Sequence, residues 1–158
     1  SLSLTTTRPK FLIVGKCFDK NLMSKIKKMR EFKYVSLLGW KKHAEIPKII
    51  KKCHAGIATL HPKKNYIKSQ PTKIFEYMMS DIPIILSNFP HWRKLIGKNK
   101  FLHFVDPFSK HQIAKKIDKL CNNNQKKNIK NLYKHVEKKF CWENEEKKLI
   151  NFYNEILN

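Results

Sequence analysis

"PTKIFEYMMSDIPIILSNFP", residues 71–90, runs from a proline that can open a helix, through a helical stretch near 72–80, into the strand "IPIILS" at 82–87. That strand is apolar without alternation. A strand with one solvated face alternates, whereas a strand of a parallel sheet is buried on both faces and reads as a continuous apolar run. The stretch therefore decides the fold class: a parallel sheet with helices packed on either side.

The same grammar extends in both directions. Upstream, "KFLIV" (10–14) ends at Gly15 and is followed by the helical pattern "NLMSKIKKMREF" (21–32). "YVSLL" (34–38) ends at Gly39, a helix is expected over "AEIPKIIKKC" (44–53), and "AGIATL" (55–60) is the third strand, leading into the loop "HPKKNYIKSQ" (61–70). Downstream come a short helix "HWRKLI" (91–96) and the strand "FLHFV" (101–105). Strands alternating with helices of this length predict an α/β doubly wound, Rossmann-like domain with helices on both faces.

The last third is helical. "SKHQIAKKIDKLC" (109–121) carries Ile113, Ile117 and Leu120 on one face, with Ser109 placed as an N-cap. A polar loop is expected near 122–128, then "NIKNLYKHVEKKF" (128–140) and "ENEEKKLINFYNEIL" (143–157), whose acids precede its lysines as the helix dipole prefers.

Length and composition set limits. At 158 residues the chain suits one domain. No apolar run approaches the roughly 18 to 20 residues that cross a bilayer. Residues 1–9 read as a linker and 10–158 as the domain. Cys17, Cys53, Cys121 and Cys141 are scattered, as free thiols of a reducing cytosol would be, and no spacing of Cys and His predicts a metal site. The net charge of +22 draws polyanions. Yet only Arg8, Arg30 and Arg93 supply the planar fork that reads bases and phosphates, and lysine is spread along the whole chain. Solvated lysine faces are the favoured reading, nucleic acid is disfavoured, and an anionic membrane surface is a weaker candidate partner.

In open α/β sheets, ligands gather at the carboxyl ends of the strands. Those positions are Gly15 with Lys16, Gly39 with Trp40, and the loop from His61 to Lys73. Neither a GxGxxG fingerprint nor a Walker loop is present, and the glycines by themselves could simply turn the chain. The loop is more informative. A helix opened by Pro71 or Thr72 leaves amides unpaired at its positive end, and Ser69, Thr72 and Lys73 add donors, which together make a pyrophosphate seat. Glu76, one turn deeper, cannot bind phosphate but can accept hydrogen bonds from two vicinal hydroxyls, such as those of ribose. The plain alternative is a surface ion pair between Lys73 and Glu76.

"NYIKSQPTKIFEYMMSDIPIILSNFPHWRKLI" resembles the donor-side segment of the family 4 glycosyltransferases, which have a two-domain fold with facing Rossmann-like halves (GT-B). "KFLIVGKCF", "VSLLGW", "AGIATLHP", "FVDP" and "CWENEEKKLINFYNEIL" follow in the order those proteins show, from about Lys10 to Leu157. The resemblance implies a C-terminal, donor-binding domain. Glu76 would hold the ribose hydroxyls of a nucleotide-diphosphate sugar, the donor substrate. Ser69, Gln70, Pro71, Thr72 and Lys73 would face its diphosphate and sugar, Gly39 and Trp40 its base, and Gly15 and Lys16 its phosphates. It further implies retention of anomeric configuration, no metal and no cofactor, and no assigned catalytic residue on this half. The partner would be an N-terminal acceptor-binding half, without which this domain should be inactive. A cytoplasmic location, peripheral at the inner face of the membrane, and a role in bacterial surface polysaccharide assembly complete the expectation.

The sequence departs from that family at four places. Lys68 stands where many relatives have the first glutamate of a paired motif, Asp81 where a helix-ending glycine is common, and His54 where an acid often precedes the third strand. The strand and helix that precede "KFLIVG" in relatives have no counterpart, so the chain is either a piece of a longer protein or a short variant whose sheet lacks a central strand. Two other classes stay open. One is a basic module binding RNA or DNA, with Trp40, Trp92 and Trp142 as stacking platforms, although Trp92 and Trp142 read better as core. The other is a degenerate transferase domain kept for protein association.

Overall fold

A computed structural model of the chain describes residues 2–122 and 132–157. Its strands are β1 (Phe11–Ile13), β2 (Val35–Leu37), β3 (Gly56–Ala58), β4 (Ile84–Ser87) and β5 (Leu102–Val105). Its helices are α1 (Lys20–Lys27), α2 (Ile46–Ile50), α3 (Lys64–Ile67), α4 (Thr72–Met79), α5 (Pro90–Ile96), α6 (Lys110–Asn122), α7 (Leu132–Phe140) and α8 (Trp142–Leu157). All strand pairs are parallel, and the fold is α/β, Rossmann-like.

The strands form two sheets. β1 pairs with β2, and β4 sits between β3 and β5. The three-stranded sheet matches the expectation of double burial, and every residue of β4 is buried. Because side chains alternate across a strand, Ile84 and Leu86 enter one core with Ile74 and Met78 of α4, Trp92 and Ile96 of α5, and Leu132 and Val136 of α7. Ile85 enters a second core with Ile113, Ile117 and Leu120 of α6. Each such aliphatic side chain contributes about 1.5–3 kcal/mol when fully buried.

The two-stranded sheet departs from that expectation. β1 and β2 are only partly buried, with Ile13 37% and Leu37 39% exposed. Among the described residues, their apolar runs lack a strand neighbour on one edge and full cover on their faces. Apolarity in the sequence announces a strand that needs cover, and says nothing of whether the cover is present.

Other differences are local. Asp19 caps α1 through the Leu22 amide at 2.8 Å, but the helix expected over 21–32 stops at Lys27, and Arg30–Tyr34 is a 3-10 turn. The helix expected over 44–53 is a 3-10 turn at His43–Glu45 followed by α2. α3 lies inside the segment expected to be loop. Ser109 caps α6, accepting from the Gln112 amide. Trp92 is fully buried as expected, whereas Trp142 is 64% exposed and does not pack in the core. No residue of α8 is buried; Leu149, Ile150, Phe152, Tyr153, Ile156 and Leu157 all face outward. From residue 123, the expected polar loop and the start of the 128–140 helix lie outside the described residues.

Residues 2–7, expected to be a linker, lie against α6. Thr5 is buried, and the Asp118 carboxylate accepts from the Thr6 and Thr7 amides at 3.0 Å and from the Thr7 hydroxyl at 2.6 Å. These bonds hold its pKa down from 3.8 to about 2.

Candidate functional site

The carboxyl ends of β1 and β2 meet through their glycines. The Gly15 amide donates to the Gly39 carbonyl at 2.8 Å. Both have positive φ, 126° and 65°, and an added Cβ at either would meet nothing within 4 Å, so it is backbone conformation that calls for glycine here. Lys16 and Trp40, which follow them, are exposed, Trp40 to 63%.

Beyond the three-stranded sheet, the loops are tied to one another. The Ser87 hydroxyl at the end of β4 donates to the Leu60 carbonyl after β3 at 2.7 Å. The buried Trp92 indole donates to the Ser69 carbonyl at 2.9 Å, fixing the approach to α4. Pro71 precedes α4 with φ −66°, and no side chain caps the helix. The Ile74 amide is the first to be bonded back, to Pro71, which leaves the amides of Thr72 and Lys73 at the helix mouth for an acceptor from outside. Ser69 is placed at this loop, but its hydroxyl donates to the Tyr66 carbonyl at 2.9 Å, so its proton is committed within the protein. Gln70 and Thr72 are exposed beside it.

Glu76 sits one turn into α4, its side chain 37% exposed. Its carboxylate lies 3.8 Å from the His43 imidazole, carried by the loop that follows Gly39 and Trp40. That pair brings the β2 loop to α4. Of the predicted site residues, Lys73 and Glu76 line a crevice of about 860 Å³, together with Tyr77 and Val14; Gly15, Lys16, Gly39 and Trp40 do not line it. Lys73 and Glu76 are spaced by three residues, yet a basic ring 3.8 Å from the Glu76 carboxylate belongs to His43, a charged contact only when that imidazole is protonated.

Two residues were not foreseen. His43 had no motif to mark it; only the convergence of carboxyl-end loops points there. Tyr77 faces the same crevice, where burial first, then the neighbouring Glu76 carboxylate and Cys53, push its phenol above the usual value. Lys68, where the resemblance would place the first glutamate of a pair, is exposed. Among the described residues no group of three or more His, Cys, Asp or Glu could hold a metal ion, and no helix is long and apolar enough to cross a membrane.

Residues 2–139 match the family described as "Glycosyl transferases group 1". The chain belongs to that family. This group 1 glycosyl transferase chain is similar in fold to the crystal structure of Anabaena Alr3699/HepE in complex with UDP, with a TM-score of 0.76 and 16% identity over 98% of this chain. It is likewise similar to Alr3699/HepE in complex with UDP and glucose, with a TM-score of 0.67 and 17% identity over 91% of this chain. At such identities the likeness speaks for the fold. The chain spans 43% and 40% of those two chains. A search of curated proteins gives no match.

Proposed function

We propose that this group 1 glycosyl transferase chain is the C-terminal, donor-nucleotide half of a family 4, GT-B enzyme. The intact enzyme transfers a sugar from a nucleotide-diphosphate sugar to a glycan or lipid-linked acceptor, with retention and without a metal or cofactor. The observation that carries the reading is Glu76: a half-exposed carboxylate lining a crevice with Lys73, one turn below an uncapped helix mouth, and 3.8 Å from a histidine on the β2 loop. Helix-mouth amides and Lys73 suit an anionic diphosphate, while a carboxylate suits paired hydroxyls. Exposed Trp40 offers a ring face to a base. The crystal structures of Alr3699/HepE with UDP give this reading its ligand class.

Ser69 would act through its backbone and its place in the loop rather than by its hydroxyl. Gly15 and Lys16 would reach the phosphates only with the β1 and β2 ends closing over the crevice. Transfer works by holding donor and acceptor in line, and one wall of a cleft cannot do that. The N-terminal acceptor half is therefore the principal partner, and the outward apolar face of α8 is available for packing against it. A cytoplasmic enzyme at the inner face of the membrane, acting on lipid-linked glycans, accords with the charge of +22.

Titration of the chain with UDP and GDP, beside a single-stranded oligonucleotide at low and high salt, tests the reading. Saturable binding of a nucleoside diphosphate supports it. Tight oligonucleotide binding that collapses with salt, without response to either nucleotide, would instead mark the basic module.

A further inference from the structure

Two aromatic rings meet over the carboxyl end of the three-stranded sheet. His61 lies just past β3 and Phe108 just past β5, with β4 between those strands. β3 and β5 are two strand spacings apart, about 10 Å. The rings close that gap, with centroids 4.8 Å apart and planes inclined at 42°. Both residues are exposed, Phe108 to 62%. A single exposed phenylalanine is ordinary, but this one is held in place. The Ser109 amide donates to the Asp106 carbonyl at 3.0 Å and the Phe108 amide to the Asp106 carboxylate at 2.9 Å, which tightens residues 106–109 into a turn. On the other side, the Ser87 hydroxyl fixes the Leu60 carbonyl, next to His61 in the chain. The pair therefore forms a shelf positioned from both sides, at the end of the sheet where α/β folds take their ligands.

We propose that this shelf binds a pyranose ring of the glycan acceptor, stacked on Phe108 and His61 and hydrogen-bonded at its edge by Asp106 and Gln112. The assignment rests on the transferase reading above and gives this half a share in acceptor recognition. One side of a pyranose is a surface of C–H bonds, whose slightly positive hydrogens suit the electron-rich face of an aromatic ring. Its rim carries hydroxyls, each a donor and an acceptor. The groups beside Phe108 match both. Asp106 is exposed, and its carboxylate keeps lone pairs beyond the one that the Phe108 amide uses. Gln112, whose Oε1 accepts from the Asp106 amide at 3.1 Å, supplies carboxamide N–H donors. The carboxylate also decides between ligand classes: a phosphate brought beside it is repelled, which disfavours a nucleotide here and favours a neutral sugar. The base of the donor has its own candidate platform at Trp40, past the end of β2 in the other sheet. His61 opens the loop that carries Ser69 to Lys73, so the shelf and the proposed diphosphate seat lie on one segment of chain.

The probes are cellotriose, maltotriose and chitotriose, with UDP and UDP-glucose titrated separately into the same chain. Ring signals of His61 and Phe108 are followed by NMR in the wild type and Phe108→Trp, and those of His61 alone in Phe108→Ala. The expected result is that at least one trisaccharide shifts both rings saturably, that Phe108→Ala weakens its binding roughly 2- to 10-fold, and that Phe108→Trp, which keeps an aromatic face, retains it. UDP affinity should be the same in every variant. No response to any trisaccharide overturns the proposal, and UDP binding in that same sample leaves the donor reading standing. A response indifferent to Phe108→Ala, or UDP affinity that falls with Phe108→Ala, would overturn it too. So would UDP-glucose shifting the rings where UDP does not, since the shelf would then belong to the donor's sugar. Trisaccharide binding at the shelf of a chain that never binds UDP supports the shelf and removes the donor reading.

Discussion

The Trp92 indole donates to the Ser69 carbonyl at 2.9 Å across 23 residues of sequence. One end of the tryptophan is held in the core against Phe89, with ring centroids 4.8 Å apart; the other holds the loop that leads into α4. A buried aromatic thereby sets where the helix mouth points. Trp92→Phe keeps most of the packing but leaves the carbonyl without its donor, and is expected to lower stability by about 1–3 kcal/mol. Trp92→Ala also opens a cavity and should cost about 3–5 kcal/mol. Urea denaturation midpoints check the order.

Gly56 owes its identity to Tyr77. A Cβ added at Gly56 would lie 2.3 Å from the Tyr77 ring, well inside contact distance. Gly56→Ala should therefore destabilise the domain by about 1–3 kcal/mol through displacement of that ring. Adding Tyr77→Leu should recover part of the loss, a coupling that a double-mutant cycle reads directly. Additive losses would show that the ring is not the obstacle.

Asp81 combines two duties at the end of α4. It takes a left-handed conformation, φ 49°, and its carboxylate accepts the Tyr133 amide of α7 at 2.9 Å. Asn also tolerates that conformation and keeps an acceptor, so Asp81→Asn should be nearly neutral. Asp81→Ala loses both and should cost about 1–3 kcal/mol, since a lost cap and a strained backbone add. Thermal melts of the pair separate these outcomes.

Asp118 makes the docking of residues 2–7 sensitive to acid. Its folded pKa, about 2, lies below the usual 3.8, so its contribution to stability is complete above 3.8 and is lost as pH falls through about 2. The Thr6 and Thr7 amide signals should shift toward unbound values in that window, and Asp118→Asn should weaken the docking at neutral pH. Amide chemical shifts followed from pH 5 to 2 are the measurement, and unchanged shifts down to pH 2 would refute it.

Legibility followed the reach of each interaction. β4 could be read because a strand buried on both faces is apolar at every position, and "IPIILS" is. The helix end at Asp81 was marked through the resemblance, by the glycine common there, and the structure adds its left-handed conformation, φ 49°. The partial exposure of β1 and β2 could not, since it depends on what lies beside them in space. α3 was hidden by its four-residue length and the polar segment around it. Trp142 shows the same limit, an apolar residue at a helix start whose cover the sequence does not specify. At the candidate site, spacing put Lys73 and Glu76 near one face of a helix, and the structure places both along one crevice. The bond from the Ser69 hydroxyl to the Tyr66 carbonyl could not be read, because that acceptor belongs to the unforeseen α3. His43 approaches Glu76 only through folding.

The decisive measurement is calorimetric titration of the wild-type chain and Glu76→Gln with UDP and 2′-deoxy-UDP, with circular dichroism confirming that both proteins are folded. Hydrogen bonds to a charged acceptor contribute about 1.5–3 kcal/mol, or roughly 10- to 100-fold in affinity. The wild type should prefer UDP to its deoxy analogue by that margin, and Glu76→Gln should weaken UDP, which offers both hydroxyls, more than the analogue, which keeps only one. Equal binding of UDP by both proteins, or an equal loss for both nucleotides, would contradict a carboxylate that reads ribose.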